Sequence, residues 1–367
     1  MANGERIRLA REFLGLTQTE LAARLNVTQS AIAYAENGRL AASNALVEAI
    51  ALQTGFPPAF FREPPEPDFP LGSLLFRSKK SVTSREETRA YRHAQVGFLL
   101  ANGLLRRMKP VSVRIPSLDD VPAKAAQATR SALGVSPDKP INRLINTLER
   151  GGVLVLALPI TLKDIDAFSV WAGSKQERPV IVMSRIPRNE DGARYIWSAA
   201  HELGHLVLHR QMSGDIETVE REANQFAGEF LLPETALREE LVPPVTLSSL
   251  AELKPRWKTS MQALCMRAGE INIITERQKK YLFQQISMRD WRKREPPNLD
   301  VKVEGPQSLR QLAEITFGKP INYKVMAHYL TVSEDLAREY VEARLDGEER
   351  RPAGNILTFT RVPSASV

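Results

Sequence analysis

Two histidines, His201 and His205, stand four positions apart and enclose Glu202 in the order His-Glu-x-x-His. Residues at positions i and i+4 share one face of an α-helix, so both imidazoles could reach the same cation. Glu202 would then lie beside the open coordination position, where a carboxylate can take a proton from a water molecule. The spacing therefore predicts a hydrolytic zinc (Zn2+) centre with Glu202 as the catalytic base.

A zinc centre of this kind needs a third protein ligand and leaves one position for water. His209 lies one helical turn beyond His205, too far along the helix to bind the same ion. The next predicted helix, at 216–232, offers Glu220 as the favoured ligand, with Glu222 and Glu217 as less favoured alternatives. At 3.6 residues per turn, Glu222 should point about 160° away from Glu220, which favours an exposed position.

Small side chains accompany Glu220 on its predicted helical face. Ala223 and Ala227 follow it at positions i+3 and i+7, and Asn224 follows at i+4. Alanines at these positions would let the second helix approach the histidine helix closely. Asn224 is then expected to hydrogen-bond a metal ligand and fix its orientation.

The elements around these helices predict an α+β fold that is mostly helical. Apolar, β-branched runs bounded by Gly or Pro predict buried strands at 151–159, 166–171 and 178–184. The histidine helix should follow them, from about Tyr195 to His209. An exposed edge of the second or third strand could bind an extended peptide by strand addition.

The N-terminal residues predict a different structure, two short helices joined by a tight turn. Thr17 and Glu20 have the spacing of a capping box that opens a helix. Asn26 follows as a turn residue, Thr28 can cap the next helix, and Gly38 can end it. Such a pair of helices is typical of the helix-turn-helix motif.

Three sequence blocks resemble the ImmA/IrrE metallopeptidase family: HELGHLVLH (201–209), the E-x-x-A-N-x-F-A pattern from Glu220, and Leu-Leu-Pro at 231–233. The resemblance extends over about 70–295. It implies a zincin-like fold and a zinc-dependent endopeptidase. It also implies that the substrate is a helix-turn-helix repressor, which is cut in a stress response that controls transcription.

Residues from 6 to about 61 resemble the Cro/repressor-type (XRE) family, with TQTELA (17–22) and ENG (36–38) as the most specific blocks. Carried over by position, Gln29, Ser30 and Tyr34 would face the major groove of DNA. Gln18 and Arg39 would contact phosphates and set the register. The alternative is a module that keeps the fold but binds protein instead.

Net charge, cysteine content and apolar runs indicate which kinds of partner and which compartment to expect. The net charge is +7, and nine Lys/Arg against two Glu lie between Arg77 and Lys109. This basic stretch is either a solvated helix face or a contact for DNA phosphate or an acidic partner. The single cysteine, Cys265, excludes an internal disulfide and fits a reducing compartment. We see neither a targeting segment nor an apolar run of membrane-span length, so we expect a cytoplasmic protein without membrane contact.

Composition shifts predict four regions: a DNA-binding domain (1–63), a linker with a basic helix (64–110), a metallopeptidase domain (111–295) and a helical C-terminal region of unknown role (296–367). We expect a zinc endopeptidase whose partners are DNA, a repressor substrate and a second copy of the chain in a homodimer. The alternative is a non-enzymatic transcriptional regulator that uses the metallopeptidase fold to sense a ligand or partner. A sensor has no need of Glu202, so the complete residue set favours the enzyme.

Overall fold

The computed structural model describes residues 2–65, 69–73, 83–108, 111–186, 190–210 and 215–343. It is mostly helical and contains one small sheet, which confirms the expected α+β class. The N-terminal domain consists of α1 (Gly4–Phe13), α2 (Gln18–Leu25), α3 (Gln29–Glu36), α4 (Asn44–Thr54) and a 3₁₀ helix (Pro58–Arg62). The 3₁₀ helix returns to the start of the domain, where the Asn3 N–H donates to the Phe61 carbonyl at 2.6 Å.

Helices α2 and α3 begin at the capping residues that the sequence indicated. Thr17 and Glu20 form the capping box of α2. The Thr28 side chain accepts a hydrogen bond from the Ala31 N–H and so caps α3. Between the two helices, Asn26 adopts a left-handed backbone with φ 53°, which asparagine tolerates better than most residues. These local preferences produce the tight turn.

A long helix, α5 (Ser84–Leu105), runs through the core with buried residues along most of its length. Two of its arginines bind the N-terminal domain: Arg85 pairs with Glu20 at 3.3 Å, and Arg92 with Glu12 at 2.7 Å. These ion pairs connect α5 to the N-terminal domain, with which it also shares a hydrophobic core. Four further members of the basic stretch lie outside the described residues: Arg77, Lys79, Lys80 and Lys109.

The sheet contains β1 (Leu154–Ala157), β2 (Ala167–Ala172) and β3 (Arg178–Met183) in the order β1-β3-β2. β1 pairs with β3 in parallel, with Leu154 opposite Val180. β2 pairs with β3 in the antiparallel direction, with Phe168 opposite Val182. The expectation that residues 178–184 could form an exposed edge is therefore wrong, because β3 is the central strand. Of the two candidates, only β2 lies at an edge.

Alternate residues of each strand enter different cores, as the period-2 geometry of a strand requires. Leu156, Phe168 and Val182 pack with α5 and the N-terminal domain. Trp171 and Ile181 pack on the opposite side, with the helices that carry the histidines. Both faces of the sheet are thus covered, which explains the continuous apolar character of the strands.

The remaining helices cover the sheet. They are α6 (Pro122–Ala132), α7 (Leu144–Arg150), α8 (Gly192–Leu208), α9 (Ile216–Leu231), α10 (Glu234–Glu240), α11 (Leu247–Trp257), α12 (Met261–Glu270), α13 (Glu276–Met288), α14 (Ser308–Phe317), α15 (Tyr323–Leu330) and α16 (Glu334–Val341). Across the described segments, no helix combines the length and apolar character needed to cross a bilayer.

The C-terminal helices α14 to α16 belong to the same core as α5 and the N-terminal domain. Buried Tyr340 of α16 donates its hydroxyl to the carbonyl of His93 on α5 at 2.9 Å. At the start of α14, the buried Glu149 carboxylate accepts from the N–H groups of Gln307 and Ser308 at 3.0 and 2.8 Å. Residues up to 343 therefore help to build the central core, and residues 344–367 lie outside the described part.

Candidate metal centre

Helices α8 and α9 cross at close range because small residues face each other there. A Cβ atom added at Gly204 would lie 3.2 Å from the backbone oxygen of Ala223 and 3.1 Å from the Phe226 ring. Such separations leave no room for a larger side chain unless the helices move. Helix α8 is also anchored at its N-terminus, where the cap residue Asp191 pairs with buried Lys254. The close contact at Gly204 thus sets the distance between α8 and α9, and the ion pair connects α8 to α11.

Three side chains of these helices converge on one point. The Nε2 atoms of His201 and His205 are 3.1 Å apart. Glu220 places one carboxylate oxygen 3.5 Å from the Nε2 of His201 and the other 3.3 Å from that of His205. Zinc bonds of about 2.0–2.1 Å at tetrahedral angles hold ligand atoms about 3.3 Å apart. Two imidazole nitrogens and a carboxylate thus fit zinc both in donor type and in separation.

The carboxylate of Glu220 is favoured in its charged form. Burial alone would raise the pKa of Glu220, but hydrogen bonds and charges from His201 and His205 hold it well below its usual range. An ionised carboxylate is the form that binds a cation. Among the three candidate third ligands, the structure brings Glu220 alone into the convergent group, whereas Glu217 is exposed in the first turn of α9.

Asn224 lies where the sequence predicted a partner for a ligand. Its Oδ1 is 3.1 Å from the Nδ1 of His201. The Nδ2 group of the same amide donates to the carbonyl of Glu220 at 2.9 Å, so the amide oxygen is the atom turned towards the imidazole. An Nδ1–H on His201 can therefore donate to Asn224, which leaves the Nε2 lone pair for a metal.

His205 has a different partner on its Nδ1 atom. That atom lies 3.2 Å from the Nδ1 of His209, and the Nε2 of His209 lies 3.0 Å from a carboxylate oxygen of Glu222. Burial lowers the pKa of His209, although the hydrogen bond with Glu222 opposes the shift. The sequence favoured an exposed position for Glu222, with a role as third ligand as the less favoured alternative. Instead its carboxylate binds His209, because α9 passes the C-terminal end of α8 on this side.

Glu202 is fully buried, with 0% exposure. One of its carboxylate oxygens accepts hydrogen bonds from the hydroxyl of Ser73 at 2.7 Å and from that of Ser169 at 2.8 Å. Ser169 lies on β2, and Ser73 belongs to the segment between the N-terminal domain and α5. The hydroxyls fix the orientation of a carboxylate that immediately follows a candidate ligand in the sequence.

The segment 69–73 also pairs with the edge of β2. The Ser73 N–H donates to the Ser169 carbonyl at 2.8 Å, and the Ser169 N–H donates to the Ser73 hydroxyl at 2.8 Å. Gly72 makes this approach possible, because a Cβ atom there would lie 2.1 Å from the Ser169 carbonyl oxygen. Sequence reasoning did not find either serine. They lie 129 and 33 positions from Glu202, and no local pattern connects them to it.

A second polar surface lies on the N-terminal domain. The residues expected to reach DNA from α3 and its C-terminal end are exposed: Gln29, Ser30, Tyr34 and Arg39. Gln18 is half-buried and connects two other side chains. Its amide nitrogen donates to Glu36 at 2.8 Å, and its amide oxygen accepts from Gln29 at 2.8 Å. The structure therefore joins the start of α2 to the start of α3 at the surface expected to face DNA.

Comparison with known families finds one match in the part that carries the candidate metal centre and one in the N-terminal domain. Residues 148–268 match the IrrE N-terminal-like domain, and residues 7–61 match the helix-turn-helix family. Both resemblances seen in the sequence are thereby confirmed, in the same order along the chain. The first match contains the sheet and both helices of the candidate centre, whereas Ser73 lies outside it. No curated protein matches the chain. The protein thus joins a metallopeptidase-like domain to a DNA-binding type of module.

Proposed function

We propose that this protein is a zinc-dependent endopeptidase, joined to its own DNA-binding module, that cuts a helix-turn-helix repressor and so controls transcription. One observation carries the proposal: the ligand atoms of His201, His205 and Glu220 all lie within 4.8 Å of one another. Glu202 follows the first of these histidines and has no part in binding a metal. Its presence in a buried, oriented state supports hydrolysis rather than a purely structural ion.

In this proposal each residue of the centre has a separate role in peptide hydrolysis. His201, His205 and Glu220 would hold a zinc ion, which would supply Lewis acidity towards the scissile carbonyl. Glu202 accepts a proton from the attacking water and later returns it to the leaving amine. The hydroxyl of Ser169 holds the Glu202 carboxylate in one orientation, which limits the reorganisation needed during proton transfer. The hydroxyl of Ser73 contributes to this orientation before a substrate binds.

The edge of β2 supports an extended substrate. Backbone groups of Ser169 on this edge already pair with Ser73 of the same chain, so the edge can bind an extended segment, and a substrate strand would take the place of Ser73. Strand addition supplies backbone hydrogen bonds for affinity, whereas side-chain pockets supply specificity. Ser169 also contacts Glu202, so a peptide bound along this edge would lie next to the proposed base.

The decisive experiment is co-expression with helix-turn-helix repressors encoded nearby, followed by mass analysis of the repressor. The wild type should yield defined fragments, whereas Glu202→Gln should yield none although it retains about one zinc per chain. Glu217→Gln serves as the matched control because it changes an exposed carboxylate on α9, and it should cut like the wild type.

Two results would contradict the proposal. Purified wild-type protein without bound zinc would remove its basis. Continued cleavage and normal gene regulation by Glu202→Gln would show that hydrolysis at this centre is not the function. The second result favours the alternative, a non-enzymatic regulator that uses the metallopeptidase fold as a sensor.

A further inference from the structure

The surroundings of the two candidate histidine ligands differ. His201 faces a neutral amide, that of Asn224, at 3.1 Å. His205 faces a second imidazole, that of His209, which in turn contacts the carboxylate of Glu222. Of these two sets of contacts, only the one that begins at His205 ends at a carboxylate, that of Glu222. The sequence signal for it is a histidine repeated at four-residue spacing, at 201, 205 and 209.

Only one arrangement of protons allows each hydrogen bond from His205 through His209 to Glu222 to form. If His205 binds a metal through Nε2, its proton must reside on Nδ1. That N–H can donate to His209 only if the Nδ1 of His209 carries a lone pair, which places the His209 proton on Nε2. The Nε2–H then donates to Glu222, 3.0 Å away. Each imidazole therefore has one tautomer compatible with all the contacts.

We propose that His209 and Glu222 form a hydrogen-bonded relay that fixes the tautomer and orientation of His205 as a metal ligand. The inference rests on the proposed zinc centre and assigns two residues that bind neither metal nor substrate. His209 is buried at the C-terminal end of α8, and Glu222 reaches it from α9. The relay therefore also joins the two helices on which the metal ligands lie.

A packing role for His209 makes a different prediction from a relay. A buried histidine that only fills space would affect folding but not the metal affinity of the folded protein. A relay acts on the metal through His205, and removal of an outer partner of this kind typically weakens metal binding 10–100-fold. The two roles are therefore separated by zinc affinity measured on folded protein.

The test measures the zinc dissociation constant of the full-length protein by competition with a chromogenic chelator at fixed pH. His209→Ala should weaken zinc binding about 10–100-fold. Glu222→Gln preserves size and removes the charge, so it should weaken binding by a smaller factor within that range. Glu217→Gln, an exposed change on the same helix, should leave the affinity unaltered.

The double variant His209→Ala/Glu222→Gln adds a sharper criterion. Residues that act in one path give non-additive effects, so the double variant should bind zinc no more weakly than His209→Ala alone. In the Co2+-substituted proteins, the visible absorption spectrum should change in both single variants but not in Glu217→Gln. Circular dichroism establishes that each variant is folded.

The outcomes separate the relay from the proposed function. Wild-type affinity in folded His209→Ala and Glu222→Gln, or strictly additive losses in the double variant, would overturn the relay while the zinc centre stands. A wild-type protein that fails to bind zinc at all would overturn both. None of these measurements depends on finding the substrate.

Discussion

The candidate metal centre and the α3 surface expected to face DNA use polar residues in opposite ways. At the metal centre, His201, Glu202 and His205 are buried, and their polar atoms contact named partners within the chain. On α3, Gln29 and Tyr34 are exposed, and Tyr34 has 45% of its surface accessible. Contacts within the chain fix the side chains of the first site, whereas the side chains of the second would be fixed only by a bound partner.

This difference shows where a sequence carries functional information. A catalytic group must be held in one orientation, so neighbouring residues constrain its type and spacing. A recognition side chain is selected by a base edge or phosphate that is absent from the chain. Changes at the candidate metal centre should therefore have larger and more specific effects than changes on α3, and substitutions of Glu220 and Gln29 test that ranking.

The largest effect is expected from Glu220→Ala. The variant removes the anionic ligand, whose oxygens lie 3.3 and 3.5 Å from the two imidazoles. Zinc affinity should fall by more than about 100-fold, the upper end of the loss caused by an outer partner. Chelator competition measures it, with Glu217→Ala as the control on the same helix. Undiminished zinc binding by Glu220→Ala would assign the third ligand elsewhere.

Glu149 lies outside both regions and shows the effect of burying a carboxylate that has no proposed role at a site. Its exposure is 1%. Burial raises its pKa from the ordinary value of 4.5 to about 7, against opposing hydrogen bonds from Ser308 and Gln307. Between pH 4.5 and 7 the folded state therefore holds more protons than the unfolded state. Stability from this group is complete below about pH 4.5 and is lost as the pH rises through 7.

The corresponding prediction concerns Glu149→Gln, which cannot ionise. Relative to this variant, the wild type should lose about 3 kcal/mol of unfolding free energy between pH 4.5 and pH 8. Urea unfolding at several pH values measures the difference. Parallel pH curves for the two proteins would show that the carboxylate that caps α14 is already ionised in the fold.

The smallest effect is expected from Gln29→Ala. Loss of a base contact from α3 should weaken binding to the protein's own promoter by about 1–3 kcal/mol. The unfolding free energy should change by less than about 0.5 kcal/mol, because the side chain is exposed. A mobility-shift assay measures the first quantity, with Glu48→Gln on α4 as control. Equal DNA binding by both variants, or none by the wild type, would favour a protein-binding role for this module.

Local spacing selected His201 and His205 and favoured Glu220 over two alternatives, and the structure brings these three residues together. His201 and His205 share a helical face, and Glu220 lies on the next helix among small residues. The same reasoning found the caps of α2 and α3 and the approximate strand positions. These features depend on contacts between residues near one another in the chain, which helical and strand periodicity describe directly.

Long-range pairing explains what the sequence did not predict. The central place of β3 depends on the order in which strands pair, and strand composition does not encode that order. The contact between His209 and Glu222 requires the crossing of α8 and α9, which Gly204 permits but does not specify. The basic stretch from Arg77 to Lys109 was interpreted as a solvated helix face or as a contact for DNA or an acidic partner. Within it, Arg85 and Arg92 pair with acidic residues of the N-terminal domain.

The pairing of Ser73 with Ser169 has a consequence for substrate entry. One N–H and one carbonyl cannot serve two strands at once, so a peptide that adds to β2 at Ser169 must displace Ser73. The resident segment belongs to the same chain, so its local concentration does not depend on the concentration of the protein. A peptide must therefore compete with Ser73, which is present beside Ser169 at any protein concentration. Sequences with weak affinity for this edge would be rejected before they reach Glu202.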